Sequence, residues 1–379
     1  MSTRYMISLE QRLAAMEREL SLTAHALANT YVELSAIHRF SDTLGTEIHT
    51  DSLSDKIAAE VSETLEVSTV AVMLCDETGD LVTSACWGNC SESGNEFRLR
   101  EGEGIPWHVI KTRKPLIVCD VSKHPAYIAS PHTRTSIMAA PIMTKGRTLG
   151  IICVSDKNNN AEFLPNELKL LSTIANQAAI AIENSRLYRN LEHLFMSIVR
   201  SFAAALDAKS AWTAGHSERV TTYAVAIAGA LEADKAFLEE IRTCGLLHDV
   251  GKIGIPEAIL DKPDKITARE YETIRQHPIK GAQILEHIYS FENIIPGIKY
   301  HHERWDGRGT PEGLIGEGIP MIARILAVAD SYDAITSNRP YREKRGKHEA
   351  VVEILRCSGT QFDPSVVKAF LTAVDQKVI

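Results

Sequence analysis

Several short segments of this chain place histidines and aspartates where a metal ion could use them. In Leu246-Leu-His-Asp-Val-Gly-Lys-Ile253, two leucines lead into His248 and Asp249, and Gly251 and Lys252 follow. An imidazole and a carboxylate at the inner edge of an apolar run are costly to bury without a cation, and together they make a borderline-to-hard donor pair. Lys252, three residues after Asp249 and four after His248, projects from the same helical face, and its ammonium suits an anionic group such as a phosphate oxygen. His301-His302-Glu303 leads into Asp306-Gly-Arg-Gly-Thr-Pro311. Met321-Ile-Ala-Arg-Ile-Leu-Ala-Val-Ala-Asp330 ends an apolar helical run on a carboxylate, for which a salt bridge to Arg324 or Arg339 is the alternative to a metal. His216, in Thr213-Ala-Gly-His-Ser-Glu-Arg-Val220, and His277, in Arg275-Gln-His-Pro-Ile279, complete the set. The other histidines, His25, His38, His49, His108, His124, His132, His193, His287 and His348, have no companion at a useful spacing and read as surface or packing residues.

These residues need a scaffold, and the apolar periodicity supplies one in three zones. From Ser197 onward the chain reads as helices joined by ordinary loops. Upstream, Leu168, Leu171, Ile174, Ala175, Ala178 and Ile182 form a helical stripe that continues through Leu187 and Leu191 toward Leu194. One long helix from Pro165 to about Asp207 is expected, either a rigid spacer or an element that carries a packing shift toward the last zone. Between Ser41 and Asn166 the texture is α+β, with strand-like runs at Thr69 to Cys75, Pro115 to Val121 and Thr148 to Val154. From Met6 to Leu44 apolar residues recur in heptads, with Thr23 and Thr30 at two inner positions. A coiled coil that self-associates is expected, against an amphipathic helix packed on its own domain.

The bulk numbers exclude several classes. A chain of 379 residues exceeds one domain at roughly 100 to 200 residues each. With 44% hydrophobic and 24% charged residues it is neither disordered nor fibrous. Lys and Arg total 41 against 49 Asp and Glu, so the net charge of −8 offers no field for gripping long nucleic acid. No apolar run approaches the about 18 residues that a membrane helix needs, and a cytoplasmic protein without membrane contact is expected. Seven cysteines without regular spacing fit reduced thiols, and the C-x3-C pair Cys86 and Cys90 lacks the second pair that a metal site would need.

Two resemblances follow from the motifs. Gly102-Glu-Gly-Ile-Pro-Trp107, Lys114-Pro-Leu-Ile-Val-Cys-Asp120, Ala140-Pro-Ile142 through Gly146 and Thr148-Leu-Gly-Ile-Ile-Cys-Val154 resemble the GAF family of small-molecule sensor domains. The resemblance implies an antiparallel sheet with flanking helices and a ligand of unidentified chemistry. The spacing of Asp156-Lys157, Phe163 and Glu167 is similar in part to a motif of cyclic-nucleotide-binding members, but Asp stands where Asn is expected, and a loop before a helix start is the preferred reading. The assembly of His216, His248-Asp249 with Gly251-Lys252, His277-Pro278, His301-His302-Glu303 with Asp306-Gly307, Gly309 and Pro311, Ala329-Asp330 and Arg339-Pro-Tyr-Arg342 resembles the HD-GYP family, a subgroup of the HD metal-dependent phosphohydrolases that hydrolyse cyclic di-GMP.

The architecture so implied is an N-terminal helix or coiled coil at 1–40, a GAF domain at 41–185 ending in a long linker helix, and an all-α HD-GYP phosphodiesterase domain at 190–379. The second resemblance implies seven metal ligands: His216, His248, Asp249 and Asp330 around one ion and Asp249, His277, His301 and His302 around the other, with Asp249 bridging. Lys252 would contact the scissile phosphate, and Arg339 and Arg342 the guanine bases. The reaction implied is hydrolysis of cyclic di-GMP to linear pGpG, with cyclic GMP-AMP as an alternative substrate and a catalytically silent receptor as the alternative class. Iron or manganese is the expected metal, and a homodimer through the N-terminal and linker helices is the expected assembly. Two departures matter: Thr310 replaces the tyrosine of the name-giving Gly-Tyr-Pro, and Trp212 stands where members with three metals carry a glutamate, so two ions per chain are expected.

Overall fold

The computed structural model describes residues 15–21, 23, 24, 27, 50–88, 97–128, 135–157, 161–209, 214–262, 264–338 and 345–379. Most of the N-terminal heptad segment, Trp212, Arg339 and Arg342 lie outside them. The chain divides into two compact units, Met1–Leu191 and Glu192–Ile379.

The first unit is built on a six-stranded antiparallel sheet of order β3-β2-β1-β6-β5-β4, with β1 Val67–Cys75, β2 Leu81–Gly88, β3 Arg98–Leu99, β4 Leu116–Val118, β5 Ile137–Thr144 and β6 Arg147–Lys157. Its central strands read as almost unbroken apolar runs because both faces are covered. On one face Val70, Val72, Ile152 and Val154 pack with Leu53, Ile57 and Val61 of α1 (Thr50–Leu65) and with Leu171, Ile174, Ala178 and Ile182 of α3 (Pro165–Asp207). On the other, Met73, Ile151 and Cys153 meet Ile105, Val109 and Ile110 of α2 (Gly104–Thr112). His108 and His124 of this unit touch edge to face, ring centroids 5.1 Å apart, a contact their separation in sequence does not announce. Cys86 is disulfide-bonded, against the expectation of seven reduced thiols, while Cys75, Cys119, Cys153, Cys244 and Cys357 are not in disulfides.

The second unit is helical. Its elements are α4 His216–Ala230, α5 Lys235–Leu247, α6 Glu257–Leu260, α7 Ala268–Arg275, α8 His277–Leu285, α9 Ile295–Tyr300, α10 Met321–Thr336, α11 Lys347–Arg356 and α12 Pro364–Asp375. Ala224, Ile227, Leu246, Ile298, Ile325, Tyr332 and Phe370 meet in one apolar core. The helix starts are marked by ordinary capping chemistry: Asp234 accepts from the Phe237 amide, and Thr267 and Glu270 form a reciprocal capping box. Among the described residues no helix is long and apolar enough to cross a membrane.

α3 runs unbroken for 43 residues, as the long apolar stripe leads one to expect. Its two faces differ. Leu171, Ala178 and Ile182 are buried, whereas Ile180, Leu187, Leu191, Leu194 and Ile198 are exposed on a second stripe.

Candidate metal centre

Each predicted ligand except Asp330 stands at the end of a helix or on the turn that closes one. His216 opens α4, and His248 and Asp249 follow the last residue of α5. His277 opens α8, His301 and His302 follow α9, and Asp330 lies in the second half of α10. Gly251 explains how two of these segments come so close. A methyl group there would lie 1.9 Å from the carbonyl oxygen of His277 and 2.6 Å from the amide of Gly281. Only a bare backbone lets the turn after Asp249 rest on the first turn of α8.

Two trios of ligand atoms gather, His277 with His301 and His302, and His216 with His248 and Asp330. Asp249 faces both. Its Oδ1 is 3.1 Å from His277 Nε2, while its Oδ2 is 3.4 Å from His216 Nε2 and 3.5 Å from His248 Nε2. His216 Nε2 is also 3.5 Å from Asp330 Oδ1. Of the two alternative partners for Asp330, Arg324 is instead paired with Asp363 at 2.8 Å, and Arg339 lies outside the described residues.

The tautomers follow from what each ring's other nitrogen does. Nδ1 of His248, His277 and His301 lies 2.7, 2.8 and 2.7 Å from the carbonyl three residues earlier, of Gly245, Ile274 and Ile298. A carbonyl only accepts, so each Nδ1 carries a proton and donates it, leaving a bare lone pair on Nε2 when the ring is neutral. His248 Nε2 is buried and has no hydrogen-bond partner among the described residues. Nε2 of His277 and His301 are 3.3 Å apart, two acceptors aimed at each other. Such an arrangement is unfavourable unless positive charge lies between the rings, and it fits a cation received between the donors. The residues therefore fit a divalent metal on donor chemistry alone.

His216 is oriented differently. Its Nδ1 donates to Asp333 Oδ2 at 2.7 Å, and Arg219 Nε and Nη2 donate to the same carboxylate at 2.6 and 3.1 Å. Asp333 is buried, one turn beyond Asp330 on α10, and sequence reasoning missed it. The available signal was the i, i+3 spacing of two carboxylates on an otherwise apolar helix. Glu303 is visible in its motif, but its role is not. Its buried carboxylate accepts from the amides of Glu312, Gly313 and Leu314 at 2.7, 3.0 and 3.1 Å, folding the Asp306 to Pro311 loop over the segment that bears His301 and His302. Gly309 permits that fold, since a methyl there would lie 2.4 Å from Glu303 Cα.

Charge is strongly coupled in this pocket. Burial pushes the Asp249 and Asp330 carboxyls up, but for Asp249 the Lys252 ammonium, and for Asp330 the neighbouring imidazoles, outweigh it and hold both below the usual range, Asp249 far below. Burial pulls His216 down, yet Asp249, Asp333 and Asp330 together raise it to about 9. Burial dominates at His248 and His301, which are held low. His302, crowded by protein although the residue is partly open to solvent, falls to about 4 for the same reason. Lys252 Nζ lies on Asp249 Oδ2 at 2.5 Å, so the cation expected to meet phosphate stands at the edge of the cluster.

The Asp156 to Glu167 segment of the first unit resolves as a structural pair. Lys157 Nζ donates to Glu167 Oε1 at 2.6 Å and to the Glu162 carbonyl at 3.2 Å, and Glu167 Oε2 accepts from the Leu164 amide at 2.8 Å at the start of α3.

A helical unit that gathers histidines and aspartates for metal, following a sheet unit with helices on both faces, is the class that the coordinates define. Comparison with known families makes it specific: residues 49–182 match the GAF domain and residues 200–366 the HD domain. The chain thus carries a GAF domain followed by an HD domain. A cyclic di-GMP phosphodiesterase of Pseudomonas aeruginosa is 39% identical over 180 residues, 47% of this chain and 42% of that protein. A 3'3'-cGAMP-specific phosphodiesterase of Vibrio cholerae is 34% identical over 207 residues, 54% and 45% of the two chains. A cyclic di-GMP phosphodiesterase of Thermotoga maritima is 43% identical over 159 residues, 41% and 43%. The chain spans less than half the length of these three relatives.

Proposed function

We propose that this protein hydrolyses cyclic di-GMP to linear pGpG at a two-metal centre in its HD domain, under the control of its GAF domain. The observation that carries the reading is the disposition of Asp249, whose two oxygens face the two ligand trios at 3.1 and 3.4 Å. His216, His248, Asp249 and Asp330 would hold one ion, and Asp249, His277, His301 and His302 the other. Divalent cations, iron or manganese by the mixed imidazole and carboxylate set, supply Lewis acidity and a water of lowered pKa. The chain's own residues do the rest. Asp249 and Asp330 stay ionised at neutral pH and so remain donors. His248, His277 and His301 keep their Nε2 lone pairs turned inward by donating Nδ1–H to backbone. Lys252 offers its ammonium to a non-bridging phosphate oxygen, balancing charge that grows on phosphorus during in-line displacement. Arg339 and Arg342 are assigned to the guanine bases on their sequence position.

Cyclic GMP-AMP is the alternative substrate, supported by the similarity to the Vibrio cholerae enzyme. A silent receptor is disfavoured by the full ligand set. Incubating the metal-loaded protein with cyclic di-GMP and with cyclic GMP-AMP, and resolving products by chromatography, tests the assignment. Linear pGpG as the main product supports it, faster cleavage of cyclic GMP-AMP shifts the substrate, and turnover of neither contradicts the enzyme reading.

We also propose that the protein is a homodimer, joined through the exposed stripe Ile180, Leu187, Leu191, Leu194 and Ile198 of α3 and through the N-terminal helix. These positions are spaced seven, four, three and four residues apart, as along a coiled-coil seam, and Met16, Leu20 and Leu27 are exposed as well. A small-molecule ligand of the GAF domain is the proposed input.

A further inference from the structure

We propose that Asp207, the last residue of α3, and Lys209, just beyond it, are positioning residues for the metal centre, each fixing one of the segments that carry its ligands. This rests on the metal-binding reading above. Asp207 is buried, and its carboxylate accepts from both the amide and the hydroxyl of Ser217, at 3.1 and 2.8 Å. Ser217 follows His216 in the first turn of α4, where helical amides lack internal partners and the helix dipole favours an anion. Two bonds to one residue fix the rotation and depth of that turn, and with it the reach of His216 toward Asp249 and Asp330.

Two residues on, the Lys209 ammonium donates to the carbonyls of Lys252, Ile253 and Ile255 at 3.1, 2.8 and 2.7 Å. An ammonium has three N–H donors, and here all three are given to one turn. That turn follows Asp249 directly and is tied to it by the Lys252 amide, 2.9 Å from the Asp249 carbonyl. The end of one helix therefore holds the His216 segment through an anion and the Asp249–Lys252 segment through a cation. The spacing between them, on which the site of His216, His248 and Asp330 depends, is set at Asp207 and Lys209. A displacement of the end of α3 would reach both segments at once.

The test is a Co2+ titration of the metal-stripped full chain, followed by the visible ligand-field bands, with His216→Ala marking the step that belongs to His216. Asp207→Asn should weaken that step by about 10- to 100-fold and leave the step of His277, His301 and His302 in place. Lys209→Met should weaken both steps, because Asp249 faces both trios. Ser217→Ala, which removes one bond at little change of volume, should give a smaller loss at the His216 step and serves if Asp207→Asn does not fold. Unmoved midpoints in a folded Asp207→Asn or Ser217→Ala protein would overturn the proposal. So would equal loss at both steps in Asp207→Asn, the mark of a general loosening. Failure of the unaltered chain to bind Co2+ would instead overturn the metal centre itself, and this proposal with it.

Discussion

The GAF domain and the HD domain each hold a charged grouping that the sequence singles out, half-buried in the first and buried in the second, and the two are resolved in opposite ways. Around Lys157 and Glu167 donors and acceptors balance: the ammonium finds a carboxylate and a carbonyl, and the second carboxylate oxygen closes a helix start. Around Asp249 they do not balance. Among the described residues His248 Nε2 is left without a hydrogen-bond partner, and the Nε2 atoms of His277 and His301 face each other at 3.3 Å. A motif-like spacing that satisfies itself locally is structure, whereas a surplus of inward acceptors on rings already anchored by their other nitrogen is a place for a cation.

The contrast can be broken or sharpened by substitution. The largest effect is expected from Asp249→Ala, which takes away the carboxylate facing both trios; metal content and hydrolysis should fall together, by more than ~100-fold in rate. An active, fully metallated variant would remove the basis of the contrast. Acid–base behaviour of the metal-free protein comes next. His216 is raised from 6.5 to about 9, so its contribution to stability is complete below pH 6.5 and disappears as pH rises through 9. Thermal unfolding in chelator should therefore show the HD domain losing on the order of 3 kcal/mol between these limits. His216→Gln should flatten that dependence, and an unchanged alkaline slope in the variant would show that another group titrates. Asp333→Asn should loosen the metal held with His216 by about 10- to 100-fold in affinity, since the carboxylate fixes the tautomer of that ring. Equal metal affinity would make Asp333 a packing residue. The smallest change is expected from Lys157→Met: about 1 kcal/mol or less of GAF-domain stability, with metal binding unaffected. Loss of metal in this variant would contradict the assignment of the Lys157–Glu167 pair to structure.

Legibility in the sequence followed the range of the interactions. His248-Asp249, His301-His302 and Asp330 could be read because each sits at the end of an apolar run, where a polar residue demands an explanation. The long helix could be read because its stripe repeats over many turns. Asp333 escaped because its partner His216 lies 117 positions away, and a second carboxylate one turn from the first looks like a solvated face. Asp207 and Lys209 escaped for the same reason: an Asp and a Lys at a helix end look ordinary until Ser217 and the carbonyls of 252, 253 and 255 are placed beside them. Glu303 was visible in its motif, but its work, holding three amides of a loop, is a property of the folded backbone.

The most direct test of the central claim is the metal stoichiometry of the full chain purified without oxygen, measured by mass spectrometry beside Asp249→Ala prepared in the same way. About two iron or manganese ions per chain are expected in the unaltered protein and near none in the variant. A single ion, or equal metal in both, would contradict a centre in which Asp249 serves two sites.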